Sequence, residues 1–372
     1  MKKHLIAAAV AGALAVPAMA QVTVYGRIDA GYSTRDSKGT SGAEDKGAGV
    51  VFSAHSTSRF GVKGTEDLGG GLKANFLFET QIGEDTNDSE SKQSNLPVED
   101  EAFGGRGMWA GVSGGFGEVR LGYQNAFSKD YVAVSSSGGS NVLGDPTLGS
   151  GRAKSKTSRA GLLDSRYQGV SYASPSMGGA SLKAMYVVDK QDDDNTTAAK
   201  ADLTGTELAL EYKAGPFMGA LSAGTYKVNG STIDAEQFNV TQADSATKHE
   251  QKTMVALATY DLGMAKLFYK YGKVEHEQDG GSASTDGEAT YNVVGVSAPL
   301  GKVTVFLNYA TGDYETTTGT TKFDDKGQQL GATYNLSKRT SLYGIYGKTE
   351  TDISASTKEK ETQFALGLVH AF

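Results

Sequence analysis

The chain has no cysteine, so its fold is held together without disulfide staples. It has no basic tract either: 43 acidic residues outnumber 36 basic ones, which argues against nucleic acid as a partner. Beyond the first twenty residues no apolar run is long enough for a membrane helix, which needs about 20 residues. Proline is scarce, hydrophobic residues make up only 38%, and the apolar core stretches of a soluble domain this long are missing. Histidine is sparse. His55, His249, His276 and His370 are the four beyond residue 20, and none stands in a recognisable motif beside a nucleophile, so no enzyme chemistry is expected. Gly114-Gly115-Phe116-Gly117 is no phosphate loop, because it turns between strand patterns rather than entering a helix. Acidic stretches such as Asp192-Asp193-Asp194 lack the ligand spacing of a calcium loop, so neither metal nor cofactor is expected.

What is present begins with a secretory signal over 1–20: Lys2 and Lys3, an apolar run from Leu5 to Val16, then Ala18-Met19-Ala20 as the cleavage pattern. Residues 21–372 form a single domain rich in glycine (49) and tyrosine (18). They alternate with a period of two. Leu72, Ala74, Phe76 and Phe78 share one parity; Lys73, Asn75 and Glu79 share the other. Leu208, Leu210 and Tyr212 alternate with Glu207, Glu211 and Lys213, and Phe364, Leu366, Leu368 and Phe372 lie on one face of the last segment. A period of two is strand, with one wet face and one apolar face. So many apolar side chains on one parity would aggregate in water, which disfavours a secreted β-sandwich adhesin.

Seven short turn signals fall at 67–70, 114–117, 175–179, 215–216, 262–263, 299–301 and 336–338. Eight polar stretches lie between them, at 34–48, 84–101, 125–165, 190–203, 229–250, 276–288, 313–325 and 352–358. Fifteen connections join sixteen strands, an even number with short turns at one rim and long loops at the other. The expectation is an all-β, 16-stranded antiparallel transmembrane β-barrel. Hydrocarbon forbids an open sheet edge, so the strand starting at Val22 must pair with the one ending at Phe372. A barrel this wide leaves an aqueous channel.

The chain resembles the general-diffusion porins of betaproteobacteria and Neisseria. The matches are Val24-Tyr25-Gly26-Arg27-Ile28-Asp29-Ala30-Gly31, Ser58 through Leu72, Gly117 to Gly122, Tyr334 through Thr340, and Gly367-Leu368-Val369-His370-Ala371-Phe372. The resemblance implies a passive channel for ions and small hydrophilic solutes in the outer membrane of a Gram-negative bacterium. It also implies a homotrimer, short periplasmic turns, a third loop folded into the barrel, and reading of Phe372 by outer-membrane assembly machinery. Outer-membrane lipid and lipopolysaccharide are the expected surroundings. A channel specific for small anions such as phosphate or organic acids is the alternative reading.

Alternation points Arg27, Arg59, Lys63 and Arg120 into the lumen, opposite Ile28, Phe60, Val62 and Leu121. Arg106 and Arg166 match wall arginines of the family, although Gln168 replaces its usual Asn and the alternation at Arg166 is ambiguous. In the third loop Asp130, Asp145 and Asp164 are the candidate carboxylates facing that wall. Arg152, Lys154, Lys156 and Arg159 depart from an acidic loop; they either favour anions at the eyelet or lie on the loop's outer flank. A basic wall set against loop carboxylates makes a transverse field that favours polar solutes. Trp109, opposite in parity to Arg106, is expected in an interfacial aromatic girdle or in subunit packing.

Overall fold

A computed structural model describes residues 21–39, 44–82, 105–136, 142, 165–190, 202–229, 248–279, 286–317, 319, 322–354 and 357–372. The signal at 1–20 lies outside them. No helix among the described residues is long and apolar enough to cross a membrane, so crossing falls to strands.

Seventeen strand segments form one antiparallel sheet. They are β1 (Gln21–Lys38), β2 (Glu44–Phe52), β3 (Arg59–Gly69), β4 (Leu72–Gln81), β5 (Gly107–Gly114), β6 (Gly117–Asn125), β7 (Arg166–Ala173), β8 (Ala180–Lys190), β9 (Asp202–Ala214), β10 (Phe217–Asn229), β11 (Lys248–Asp261), β12 (Lys266–Asp279), β13 (Gly287–Leu300), β14 (Val303–Thr316), β15 (Lys322–Asn335), β16 (Thr340–Ser354) and β17 (Thr357–Ala371). Both β2 and β3 pair with β1, β2 along its outer half (Ala30 opposite Phe52) and β3 along its inner half (Arg27 opposite Arg59). They are two pieces of one wall strand, so the barrel has the sixteen strands expected. It closes through β1 and β17, and Gly26 and Phe372 exchange both backbone hydrogen bonds at 3.1 Å.

All seven short turns join the strands expected of them. Gly69, Gly70 and Gly71 all have positive φ, which lets the β3–β4 reversal close tightly. Several of the expected long loops are largely strand instead. β1 and β2 pair as far as Lys38 and Glu44, the expected loops at 313–325 and 352–358 are taken up mostly by continued pairing, and pairing enters both ends of 276–288, as far as Asp279 and from Gly287. Strand ends that rise above the hydrocarbon are wet on both faces, so they keep the ladder while losing the alternation that reveals it.

The outer surface carries the apolar parity. Val24, Leu121, Leu208, Leu221 and Leu330 are all more than half exposed there, as they are when hydrocarbon rather than protein is the solvent. Tyr212, Phe217, Tyr260 and Tyr334 stand within a few residues of the short turns and form an aromatic belt at that rim. The interior is not an apolar core. Its buried polar residues include Asp29, Glu207, Gln251 and Gln329, and much of that burial comes from chain folded into the lumen.

Candidate pore constriction

The wall strands β5, β4, β3 and β1 lie side by side and bring one charged cluster to the lumen. Arg27 and Arg59 are direct cross-strand partners. Glu79 of β4 is the hub. Its Oε1 accepts from Arg106 Nε at 2.8 Å and lies 3.7 Å from Arg59 Nη1, while its Oε2 accepts the Tyr25 hydroxyl at 2.7 Å. Tyr25 pairs with Gly61, which pairs with Glu79, so the phenol must cross a whole strand to reach the carboxylate. It does so over Gly61, where a Cβ would collide with the ring. Two guanidinium groups thus share one luminal carboxylate, and Arg27 stands beside them as the cross-strand partner of Arg59.

A second device pushes the wall inward. Between β2 and β3, residues 53–58 leave the sheet, with Ser53 at φ 67°. Their amides find partners on Asp29: its Oδ2 accepts from His55 N at 2.7 Å and Ser56 N at 2.6 Å, and its carbonyl accepts from Ser53 N at 3.0 Å. Ser58 Oγ accepts from Asp29 N at 3.0 Å. On the other side Tyr343 of β16 donates to Asp29 Oδ1 at 2.8 Å, its ring lying over Gly367 and Gly31, which are themselves a cross-strand pair. Asp29 is fully buried, so its charge is used to hold the bulge rather than to face solute. The bulge in turn positions the arginines: Arg27 Nη1 donates to Ser56 Oγ and Arg59 Nε to Thr57 O.

The third loop completes the ring. It leaves β6 through a short helix, α1 (Phe127–Val132), that packs on β9, β10 and β11 inside the barrel. Glu207 of β9 accepts the amides of Phe127 and Ser128, each at 2.7 Å, satisfying two donors that a helix start leaves orphaned. Lys270 of β12 donates to Val132 O at 3.0 Å, Ser136 bonds Asn308 of β14, and Gln329 of β15 donates to Val142 O at 2.7 Å. Val142 then meets Val51 and Ala54 beside the bulge, in a cluster with Phe306 and Ile345. The described part of the loop therefore contacts the far wall from β9 to β15 and, at Val142, also Val51 of β2.

Each residue singled out by sequence can now be placed. Arg27, Arg59 and Arg106 converge on the bulge and Glu79. Lys63 lies one tier nearer the short turns, its Nζ 5.2 Å from the Tyr25 ring centroid. Arg120 shares that lower tier, paired with Glu118 at 2.6 Å. Asp130 sits on α1 and touches luminal water, with Asn125 Nδ2 donating to it at 2.7 Å. Enclosure by the surrounding protein pushes its carboxyl above the usual range, against the opposing pull of the Asn125 hydrogen bond and of Lys183, Lys129 and Arg120. Asp145, Asp164, Arg152, Lys154, Lys156 and Arg159 lie outside the described residues. Lys129 is buried.

Simple alternation fails at Arg166 and Trp109, and the second needs correction. Arg166 opens β7 on the parity of Val170 and Tyr172, which are exposed on the outer surface, while Tyr167 takes the inward parity and stacks on Tyr226. At this strand end parity does not set the direction: Asn125, the cross-strand partner of Arg166, shares the parity yet donates to Asp130 on α1, and the Arg166 Nε is buried. Trp109 is no girdle residue: Met108 and Val112 take the outward parity of β5, and the indole lies inside beneath the Arg120 guanidinium, 4.2 Å from ring centroid to carbon. Arg106 precedes the strand, so counting parity from it misassigned Trp109. Glu79 and the bulge were not singled out as site residues. The first shared the wet parity of β4; the second showed only as a run of small polar residues, Ser53 to Ser58, in which alternation fails.

Comparison with known proteins agrees with this architecture. A model of the Gram-negative porin family matches residues 7–354. Outer membrane porin protein 32 of Delftia acidovorans is 31% identical with both chains fully covered, and major outer membrane protein P.IB of Neisseria meningitidis serogroup B is 29% identical over equal coverage. Among solved structures, the anion-selective porin from Comamonas acidovorans superposes with a TM-score of 0.69 at 25% identity, covering 95% of this chain and 100% of that one. OmpT of Vibrio cholerae in its trimer form shares the fold, with a TM-score of 0.65 at 17% identity. A closed sixteen-strand barrel, an apolar outer face, a narrowed polar lumen and these relatives together place the chain in the Gram-negative porin family, as an outer-membrane channel for passive diffusion of ions and small hydrophilic solutes.

Proposed function

We propose that this channel passes small anions in preference to cations, and that Arg27, Arg59 and Arg106 set the preference. The observation that carries this reading is the gathering of three guanidinium groups on one stretch of wall, two of them sharing Glu79, while the Asp29 carboxylate is sealed under the bulge. Fixed positive charge in a narrow, low-dielectric passage raises the local anion concentration. Lys63 adds to it one tier below. The relative described as an anion-selective porin supports the same sign. Asp130, and the loop carboxylates Asp145 and Asp164, set the opposing edge of the field.

In the same reading residues 1–20 are removed after Ala20, the barrel assembles as a homotrimer among outer-membrane lipid and lipopolysaccharide, and Phe372 is read by the assembly machinery. No catalytic role is proposed. Reversal potential under a potassium chloride gradient across a planar bilayer tests the central claim. Chloride preference in the native channel, weakened stepwise by Arg27→Gln and Arg106→Gln, is the expected result; cation preference in the native channel would overturn it. Conductance steps in groups of three are expected of the trimer.

A further inference from the structure

The chain's single tryptophan faces the lumen one tier below the arginine cluster. Beside it the wall holds a recess of about 400 Å³. Leu77 and Trp109, a cross-strand pair, give it an apolar side, and Lys63 gives it a cation. Thr23, Thr65 and Asn75 supply hydroxyl and amide groups. Lys63 follows Arg59 by four residues on β3, so the recess lies roughly 13 Å further along that strand, toward the short-turn rim, than Arg59.

The charges around the recess are unequal. Arg120 covers one face of the indole, but Glu118 neutralises it at 2.6 Å. Lys63 makes no ion pair among the described residues, and its Nζ lies 5.2 Å from the Tyr25 ring centroid. A cation over a ring keeps its charge. The lining therefore holds one ammonium without an ion pair and the flat apolar side of Leu77 and Trp109, while the one carboxylate in it, Glu118, is already paired with Arg120.

We propose that this recess is a transient binding site for small aromatic carboxylates on their way through the pore. A bare inorganic anion gains the ammonium but wastes the Trp109 and Leu77 surface, and a neutral apolar solute gains the surface without the charge. A carboxylate bearing a ring satisfies both, and a recess of this size holds one such molecule with water to spare. Binding is weak, because one cation and one apolar side leave the rest of the solute wet. A channel needs that weakness, since a solute held tightly would not leave. The site is separate from the arginine tier and does not depend on which ion that tier prefers.

Trp109 reports on the site without labelling, because no other tryptophan contributes emission. The folded full-length protein in detergent is titrated with sodium benzoate at constant ionic strength, with sodium acetate as the control of equal charge. Saturable change with benzoate and none with acetate is expected. Lys63→Gln should move the benzoate midpoint upward roughly fivefold, the worth of one nearby charge in a wet site. Because that variant alters a wall charge, the native protein is also titrated at rising potassium chloride, where the midpoint should climb. Quenching that stays linear in benzoate, equals that of acetate, or ignores both salt and Lys63→Gln would overturn the proposal. Chloride preference is read separately from reversal potential, so the arginine-tier reading and this one fail on different measurements.

Discussion

At the scale of single residues, the lumen shows how position decides what a charge does. Asp29 and Glu79 are both inward-facing wall carboxylates, yet one is spent on backbone amides and the other holds arginines. Glu79→Gln should therefore raise chloride preference, by roughly fivefold in permeability ratio for one charge lost within a few ångströms. Reversal potential checks it. Asp29→Ala should act on stability instead, because it leaves the His55 and Ser56 amides without acceptors. A loss on the order of 2–4 kcal/mol is expected, read as a lowered denaturant midpoint of the folded barrel. Asp130 gives a pH dependence. Its carboxyl is held above the usual range, so as pH falls it takes up a proton before ordinary carboxylates do. Anion preference should rise through that window as one negative charge leaves the lumen, and Asp130→Asn should remove this step from the pH profile. A profile identical in the variant would contradict it.

Single elements are held by contacts that cross the barrel. The α1 segment has six residues, far too short to be stable alone, and stands because Glu207 accepts its first amides and β9 to β11 pack its buried face. Glu207→Ala should loosen the third loop, with larger and noisier single-channel currents as the result; quiet currents of native size would show the loop anchored elsewhere. The 53–58 bulge is held in the same way, through Asp29, which takes a hydrogen bond from Tyr343 two strands away across two glycines. Neither device leaves a local sequence signature. The short turns do, since Gly69-Gly70-Gly71 and Gly215 need backbone angles that few other residues adopt. That is why all seven turns were legible while the upper loop boundaries were not: those strand ends carry no hydrophobic alternation, and their pairing depends on the neighbouring strand.

For the whole molecule, closure is the deciding event. The β1–β17 ladder runs from Arg27 opposite Ala371 to Lys38 opposite Lys360, so chain ends more than 300 residues apart must meet before any edge is hidden. Gly31 and Gly367 sit in that seam beneath Tyr343. Gly367→Val should displace the phenol from Asp29 and weaken seam and bulge together. The expected readout is a lower temperature for loss of the compact form on electrophoresis, larger than for Gly39→Val on the outer rim, where a Cβ meets open space.

The sequence by itself determined the class of the molecule: a strand period of two, seven turns, sixteen wall strands, an apolar exterior and the inward parity of Arg27, Arg59, Lys63 and Arg120. These follow from local chemistry, because a side chain's face is settled by its neighbours two residues away. What the tertiary structure alone decided is which inward charges meet. Glu79 joins Arg106, Asp29 is sealed beneath residues 53–58, and Trp109 enters the lumen. Those outcomes rest on cross-strand register and on chain folded back into the pore. Both join residues far apart in sequence, and no local pattern encodes the distance between them.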